Sequence, residues 1–241
     1  MLEISHISFS VSDLHSAAKE IENMGFKIEW GGLKGKENNF FIWFGENAFL
    51  EVFSIKKKYM PLFFAIRIIY GKVVAKRWWK WFSTKNKFVD FALEDSDESK
   101  TIIRNYKNKI IVDIELIKEN LKESKIDFSK TMHWKRTNKE GVKANYSYFA
   151  PYNENLPFIV SKYEPSQKPK KNIHPNGARL IKNIRLCVKK SEHRDMNILM
   201  KDVNNVIIED GNSTTIKEIE IYGLEKEYCF CDVKLVPAEV I

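Results

Sequence analysis

Apolar and polar positions along this chain follow two periods, and the switch between them marks its elements. Ile4, Ile7, Phe9 and Val11 form a β-rich run, and Ser12-Asp13 then offers a helix cap. Leu14, Ala17, Ala18, Ile21 and Met24 recur at helical spacing, so one face is apolar, and Gly25 ends the helix. Phe26 to Trp30 alternates and predicts a strand, broken by Gly31-Gly32. Phe40 to Phe44 and Ala48 to Phe53 predict two more strands, with Gly45-Glu46-Asn47 suited to a tight hairpin between them. The first fifty residues therefore predict strand, helix and three strands.

The order recurs. Phe88 to Leu93 is a strand, followed by the acidic turn Glu94-Asp95-Ser96-Asp97 and then helical material. Ile114, Ile117 and Leu121 give the helical face; Ser99 to Val112 is extra relative to the first unit. Trp134 to Thr137 and Val142 to Phe149 form a hairpin, and Phe158-Ile159-Val160 closes the second unit. SQKPKKN, Ser166 to Asn172, is the clearest linker. A third unit follows: strand Leu180 to Val188, a short helix over Ser191 to Met200, then strands at Val206 to Ile208, Thr215 to Tyr222 and Tyr228 to Val236. The division expected is 1–165, two modules with an insert, and 173–241, a smaller α+β unit. The fold class is α+β: repeated units, each a curved sheet with a helix on its convex side. Two such units side by side leave a concave face that is a natural pocket.

The stretch 56–87 belongs to neither repeat. Pro61 to Tyr70 and Lys76 to Phe82 are apolar and basic together, and Arg67, Lys72, Lys76 and Arg77 interrupt the run too often for a membrane span. One reading is an amphipathic helix at a membrane surface or a lid. The other, which is preferred, is a helix packing its aromatic face over an open pocket.

Composition narrows the class. The chain has 241 residues, 44% hydrophobic and 30% charged, enough to bury a real core. Its formal net charge of +8 comes from lysines spread along the whole chain, mostly beside acidic residues, and no nucleic-acid motif accompanies them. Cys187, Cys229 and Cys231 are an odd set without a CxxC, which argues against a disulfide framework or a zinc site. With no signal-peptide pattern at Met1, the cytoplasm is the expected compartment. No Gly-rich phosphate loop and no Ser-His-Asp arrangement stands out, so no nucleotide cofactor is expected.

Candidate chemistry sits on the strands. Ile4, His6 and Ser8 share one face of the first strand; Phe49, Glu51 and Phe53 share one face of the fourth. Asp90 stands in FVDFAL as His6 stands in ISHISF. If these faces are concave, an imidazole and two carboxylates converge, a set suited to a divalent ion such as Zn, Mn, Ni or Fe. A Glu inside FLEVF needs a partner, because burying a lone carboxylate is costly, and an arginine meets that need as well as a metal. His133, near the hairpin, is within reach of a base role but more often such a residue lies at the surface. His15 and His193 fall on exposed helix positions, and Cys229 and Cys231 on one face of a strand as small buried hydrophobes.

ISHISFSVSDLHSAAKEIENMGFKIEWGG, FLEVF, FVDFAL, KRTNKEGVKANYSYFAP, LPFIVSKYEP and HPNGARLIKNIRLCV together resemble the glyoxalase-like domain family of the vicinal-oxygen-chelate superfamily. The resemblance spans about Glu3 to Val188, and the HPNGA run at His174 to Ala178 is its most specific piece. It implies paired βαβββ modules forming half-barrel sheets with a metal site on the concave face. The implied ligands are His6 and Glu51, with Asp90 where a His is usual and Ser161 or its neighbour where a Glu is usual. Asn183 takes the His-like position of the third unit. His174 and Asn176 are expected either as a turn, with Pro175 and Asn-Gly setting its geometry, or as substrate-binding residues facing the pocket. Two functions follow. The leading one is a metal-assisted lyase, isomerase or dioxygenase acting on a small oxygen-bearing molecule. The alternative is a non-catalytic protein that sequesters a small aromatic or amphiphilic ligand, favoured by Ser161 and by Trp78, Trp79 and Trp81. A homodimer is an expectation of the resemblance; a membrane surface is a lesser expectation that rests on the insert at 56–87 alone.

Overall fold

The computed structural model describes residues 1–45, 48–97, 101–106, 109–169 and 172–239. The first module runs β1 (Leu2–Ser10), α1 (Leu14–Asn23), β2 (Glu29–Gly31), β3 (Asn39–Trp43) and β4 (Phe49–Phe53). The Asp13 carboxylate caps α1, accepting from the His15 and Ser16 amides at 2.9 and 3.0 Å. Gly25, at φ +81°, turns the chain out of the helix and lets Asn176 approach so closely that a Cβ there would meet it at 2.8 Å. The predicted strand over Phe26 to Trp30 shrinks to β2, because Phe26 drops into the core and the Lys27 amide bonds the His174 ring instead of a strand. Residues 46 and 47 of the expected hairpin lie outside the described residues.

The second module has β5 (Lys87–Asp95), β8 (Met132–Thr137), β9 (Lys143–Phe149) and β10 (Phe158–Val160). Between β5 and β8 the chain makes a separate hairpin, β6 (Ile102–Tyr106) and β7 (Lys109–Asp113), before the short α4 (Glu115–Asn120). The stretch set apart as extra relative to the first module supplies it: the β-branched runs Ile102-Ile103 and Ile110-Ile111-Val112 pair across the hairpin, and the helical face expected at Ile114, Ile117 and Leu121 forms as α4. The two modules form one eight-stranded sheet, ordered β2-β3-β4-β1-β5-β10-β9-β8. β1 and β5 meet antiparallel at its middle, and each has its module's last strand parallel on the other side.

One irregularity decides which way the first strand faces. The β1–β5 register shifts between Ile4 and His6. Ile4 consequently joins Ile7 and Phe9 in the core, while His6 and Ser8 line the concave face. Strict alternation had placed Ile4 with His6.

The insert is a helical hairpin, α2 (Met60–Tyr70) and α3 (Lys72–Ser83), with Gly71 at φ +90° between them. It folds inward over the second module's concave face. Ile66 and Val74 pack with Ala92, Tyr148, Phe158 and Val160, and Trp78 stacks on Trp134 at 5.4 Å. Among the described residues no helix is long and apolar enough to cross a membrane.

The C-terminal unit runs β11 (Leu180–Lys189), α5 (His193–Leu199), β12 (Val206–Gly211), β13 (Thr215–Tyr222), β14 (Tyr228–Phe230) and β15 (Val233–Pro237). Its sheet order is β12-β11-β13-β15-β14, with pairings parallel, antiparallel, parallel, antiparallel. That is the direction pattern of β4-β1-β5-β10-β9, so this unit is a pared copy of the middle of the large sheet. The single strand expected over Tyr228 to Val236 is broken at Cys231, which sits in the turn at φ +56°. Cys229 is exposed there and Cys231 half-buried, not the buried pair expected. Both sheets share one core: Phe9 meets Phe230 at 5.3 Å, and α1 contributes Leu14, Ala17, Ala18 and Ile21 to it.

Candidate functional site

The concave face holds a cleft of about 590 Å³. His6 and Ser8 on β1, Glu51 on β4, Trp134 and Arg136 on β8, Tyr146 and Tyr148 on β9 and Phe158 on β10 form its floor. Trp78 and Trp81 of α3 form its roof, and Tyr59 and Leu62 stand at its rim.

His6 and Glu51 do converge. Nε2 of His6 lies 3.7 Å from Oε2 of Glu51, too long for a hydrogen bond. The imidazole stacks on Phe49 at 4.8 Å and meets the edge of Phe158 at 5.4 Å. Burial, and then the charge of Arg136, hold its pKa down at about 3. Burial raises the Glu51 carboxyl above its ordinary value, against a 2.6 Å hydrogen bond from the Asn39 amide and the pull of Arg136. Both shifts favour the uncharged forms, and with a neutral imidazole the pair is not a salt bridge but two polar groups facing one cleft.

Asp90 is engaged elsewhere. Arg77 Nη1 donates to both its oxygens, at 2.9 and 2.8 Å, and Trp81 Nε1 donates to Oδ2 at 2.7 Å. Arg77 Nη2 also donates to the carbonyls of Asn153 and Leu156. Both side chains are only 2% exposed, so the pair is sealed. Sheet pairing then identifies the fourth corner. Ser8 stands opposite Glu51, and Ala92 stands opposite Phe158. With Asp90 the counterpart of His6, Ala92 is that of Ser8, and Phe158 that of Glu51. Ser161, expected in that place, instead accepts from the Ser147 amide, donates to the Lys162 carbonyl and borders a different cavity.

A four-ligand metal centre therefore does not fit these residues. Two corners offer donors, one carboxylate is already saturated by an arginine and an indole, and one corner is a phenyl ring. Among the described residues no group of three or more His, Cys, Asp or Glu side chains is placed to hold an ion.

What the cleft does hold is an excess of positive charge. Lys36, Lys135 and Arg136 line it against the single carboxyl of Glu51. The Arg136 guanidinium lies 3.7 Å from the ring centre of Phe41 and 5.2 Å from that of Tyr163. Its side chain is 9% exposed, and its nearest carboxylate oxygen, on Glu29, is 3.8 Å away. None of its three nitrogens makes a well-aligned hydrogen bond among the described residues, the Tyr163 hydroxyl being its nearest approach to one, and Nε1 of the neighbouring Trp134 makes none either. Sequence reading missed Arg77, Arg136 and the two tyrosines of β9. The signal for Arg136 was present: it alternates with Trp134 on one strand, so the two share a face.

His174 and Asn176 stand apart from the cleft lining. His174 Nδ1 accepts from the Lys27 amide at 2.9 Å and its Nε2 reaches the Trp43 carbonyl at 2.9 Å, which sets the tautomer with the proton on Nε2. Asn176 donates to the Met24 carbonyl at 2.8 Å and accepts from the Ala178 amide. Their polar atoms bind the end of α1 and the β3 end to the start of the C-terminal unit. His133 is exposed, on the face of β8 opposite Trp134, with Nδ1 2.7 Å from the Ser147 hydroxyl. Asn183 donates to Glu220, beside Arg185, which is paired with Glu209, Glu218 and Glu220.

Known proteins bear out the architecture. A structure of a hypothetical protein from Staphylococcus aureus superposes with TM-score 0.67 at 14% identity, covering 99% of this chain and all of that one. The Mn(II)-bound glyoxalase from Novosphingobium aromaticivorans superposes with TM-score 0.50 at 10% identity, covering 91% of this chain and 64% of that one. At such identities these likenesses show the fold alone. No curated protein matches the sequence. The family model described as a glyoxalase-like domain matches residues 4–197, from the strand that carries His6 to the helix of the C-terminal unit. Two βαβββ modules joined across β1 and β5 are what that match leads one to expect, and the chain belongs to the glyoxalase-like domain family.

Proposed function

We propose that this glyoxalase-like protein binds a small aromatic or amphiphilic anion in its concave cleft, without the fold's four-ligand metal chemistry. The observation that carries this reading is Arg136, a buried guanidinium whose donors make no well-aligned hydrogen bond, in a cleft whose cations outnumber its one carboxyl. A buried guanidinium with its donors unfilled is costly, and an incoming anion relieves that cost. The aromatic walls Trp78, Trp81, Trp134, Tyr146 and Phe158 supply flat apolar surface for the rest of the ligand.

The metal-assisted enzyme keeps one supporting observation, the approach of His6 to Glu51, and one experiment separates the two readings. The three cleft tryptophans report occupancy, so their fluorescence is titrated with benzoate, a naphthoate and a medium-chain fatty acid, beside the neutral amide of each. Metal content is measured on the same preparations. Saturable quenching by the acids, about tenfold weaker for the amides and for Arg136→Gln, supports the anion-binding reading. One equivalent of metal per chain, lost in both His6→Ala and Glu51→Ala, overturns it and restores the metalloenzyme.

A further inference from the structure

The inner side of the helical hairpin roofs the cleft; its outer side has no partner among the described residues. α2 is apolar nearly all round, with Arg67 its single charged residue. Phe63 and Ile66 are buried against the protein, whereas Phe64 is 71% exposed, Ile68 84% and Ile69 60%. Trp79 on α3 is 49% exposed, and Met60 and Leu62 are exposed as well. Phe64 and Ile68 are one turn apart and opposite the packed face, so the outward stripe is apolar by position. A helix apolar on both sides is normally buried on both.

The charge around this stripe has one sign. Residues 56–87 hold ten basic residues and no acidic one. Arg77 is spent on Asp90 and Lys76 on Glu154. Lys56, Lys57, Lys58, Arg67 and Lys72 are exposed and pair with no carboxylate among the described residues. An apolar stripe flanked by unpaired cations complements a surface that is negatively charged outside and apolar a few ångströms in, which is an anionic lipid bilayer.

We propose that the outer face of α2 and α3 docks this protein on anionic membrane surfaces, with Phe64, Ile68, Ile69 and Trp79 entering the headgroup–acyl boundary. Tyr59 and Leu62 belong to the cleft rim, so docking sets the mouth of the cleft against the lipid. The proposal goes beyond ligand binding and stands or falls separately from it.

The test is co-sedimentation of the full chain with phosphatidylcholine vesicles, with and without phosphatidylglycerol, at low and high salt. Binding only to the vesicles that contain phosphatidylglycerol, weakened by salt, is the expected result. Phe64→Ser and Ile68→Ser each lower partitioning about tenfold, and Lys57→Gln and Lys58→Gln about fivefold each. All four side chains are exposed, so the melting temperature stays at the wild-type value and separates lost docking from lost folding. Absence of binding overturns the proposal, as does equal binding to neutral vesicles. Self-association in solution that Phe64→Ser abolishes, without vesicle binding, also overturns it and assigns the face to a second copy of this chain.

Discussion

Arg77 and His6 show how single residues settle what the cleft is. Arg77 enters the concave face from α3 and satisfies Asp90 with two hydrogen bonds in a site sealed from water. Removing one partner of such a pair leaves an uncompensated buried charge, so Arg77→Met and Asp90→Leu alone each cost about 3–5 kcal/mol. The double variant Arg77→Met/Asp90→Leu recovers most of that loss, measured as urea midpoints of the three proteins. Were Asp90 a metal ligand instead, the Arg77 variant would gain metal affinity at little cost in stability. His6 leads to a pH prediction. Its pKa is about 3 when folded against 6.5 when free, so below 6.5 the unfolded chain takes up a proton that the folded chain refuses. The stability contributed by the neutral imidazole is whole above pH 6.5 and is lost as pH falls towards 3. Glu51, raised by burial, works the other way, favouring the fold as pH falls. His6→Gln therefore flattens the loss of stability between pH 6.5 and 5, read by denaturant melts, while the Glu51 trend remains.

At the scale of elements, the sequence was most legible where local periodicity and tertiary packing agree. α1 has an Asp cap, four buried positions at helical spacing and a glycine stop, and it forms as its pattern predicts. The modules, the β8–β9 hairpin and the family resemblance were legible for the same reason. Illegible were features decided by contacts between distant segments. The register shift that turns Ile4 inward depends on β5, whose Leu93 and Ala92 stand opposite Ile4 and His6 from far along the chain. The 26–28 segment leaves the sheet because His174 captures the Lys27 amide. The candidate site was half legible: the meeting of His6 and Glu51 follows from strand faces, but the capture of Asp90 depends on a helix that belongs to neither repeat. That helix also leads to a prediction. Trp78 donates to the Tyr148 hydroxyl at 2.8 Å, and burial pushes that hydroxyl's pKa above the ordinary range, so it stays a neutral acceptor. Trp78→Phe removes this bond and leaves a buried hydroxyl unpaired, loosening the roof by about 1–3 kcal/mol. Faster amide exchange along α3, with β1 to β4 unchanged, is the expected result; uniform acceleration through the chain would show that α3 is not a separately opening roof.

For the whole molecule, the linker at 166–172 invites division into a cleft-bearing part and an appendage, but the packing joins them. The large sheet buries its concave face under the insert and its convex face under α1 and the C-terminal sheet. Ile7 and Phe9 of β1 share one core with Ile184, Ile219 and Phe230. Asn176 is hydrogen-bonded at once to Met24, Gly25 and Glu225, locking the end of α1 to the C-terminal unit. Residues 1–165 without the rest would expose that shared face, so the unit after the linker acts as the missing half of a core. Phe230, 1% exposed and in contact with Phe9, tests this. Phe230→Ala creates a cavity at the junction and costs about 3–5 kcal/mol. If the core is one body, the loss appears as a single transition shifted downward, with the cleft tryptophans and far-ultraviolet dichroism moving together. Should the tryptophan signal from Trp78, Trp81 and Trp134 stay at its wild-type midpoint while dichroism shows an earlier step, the C-terminal unit folds separately, and ligand binding would survive its removal.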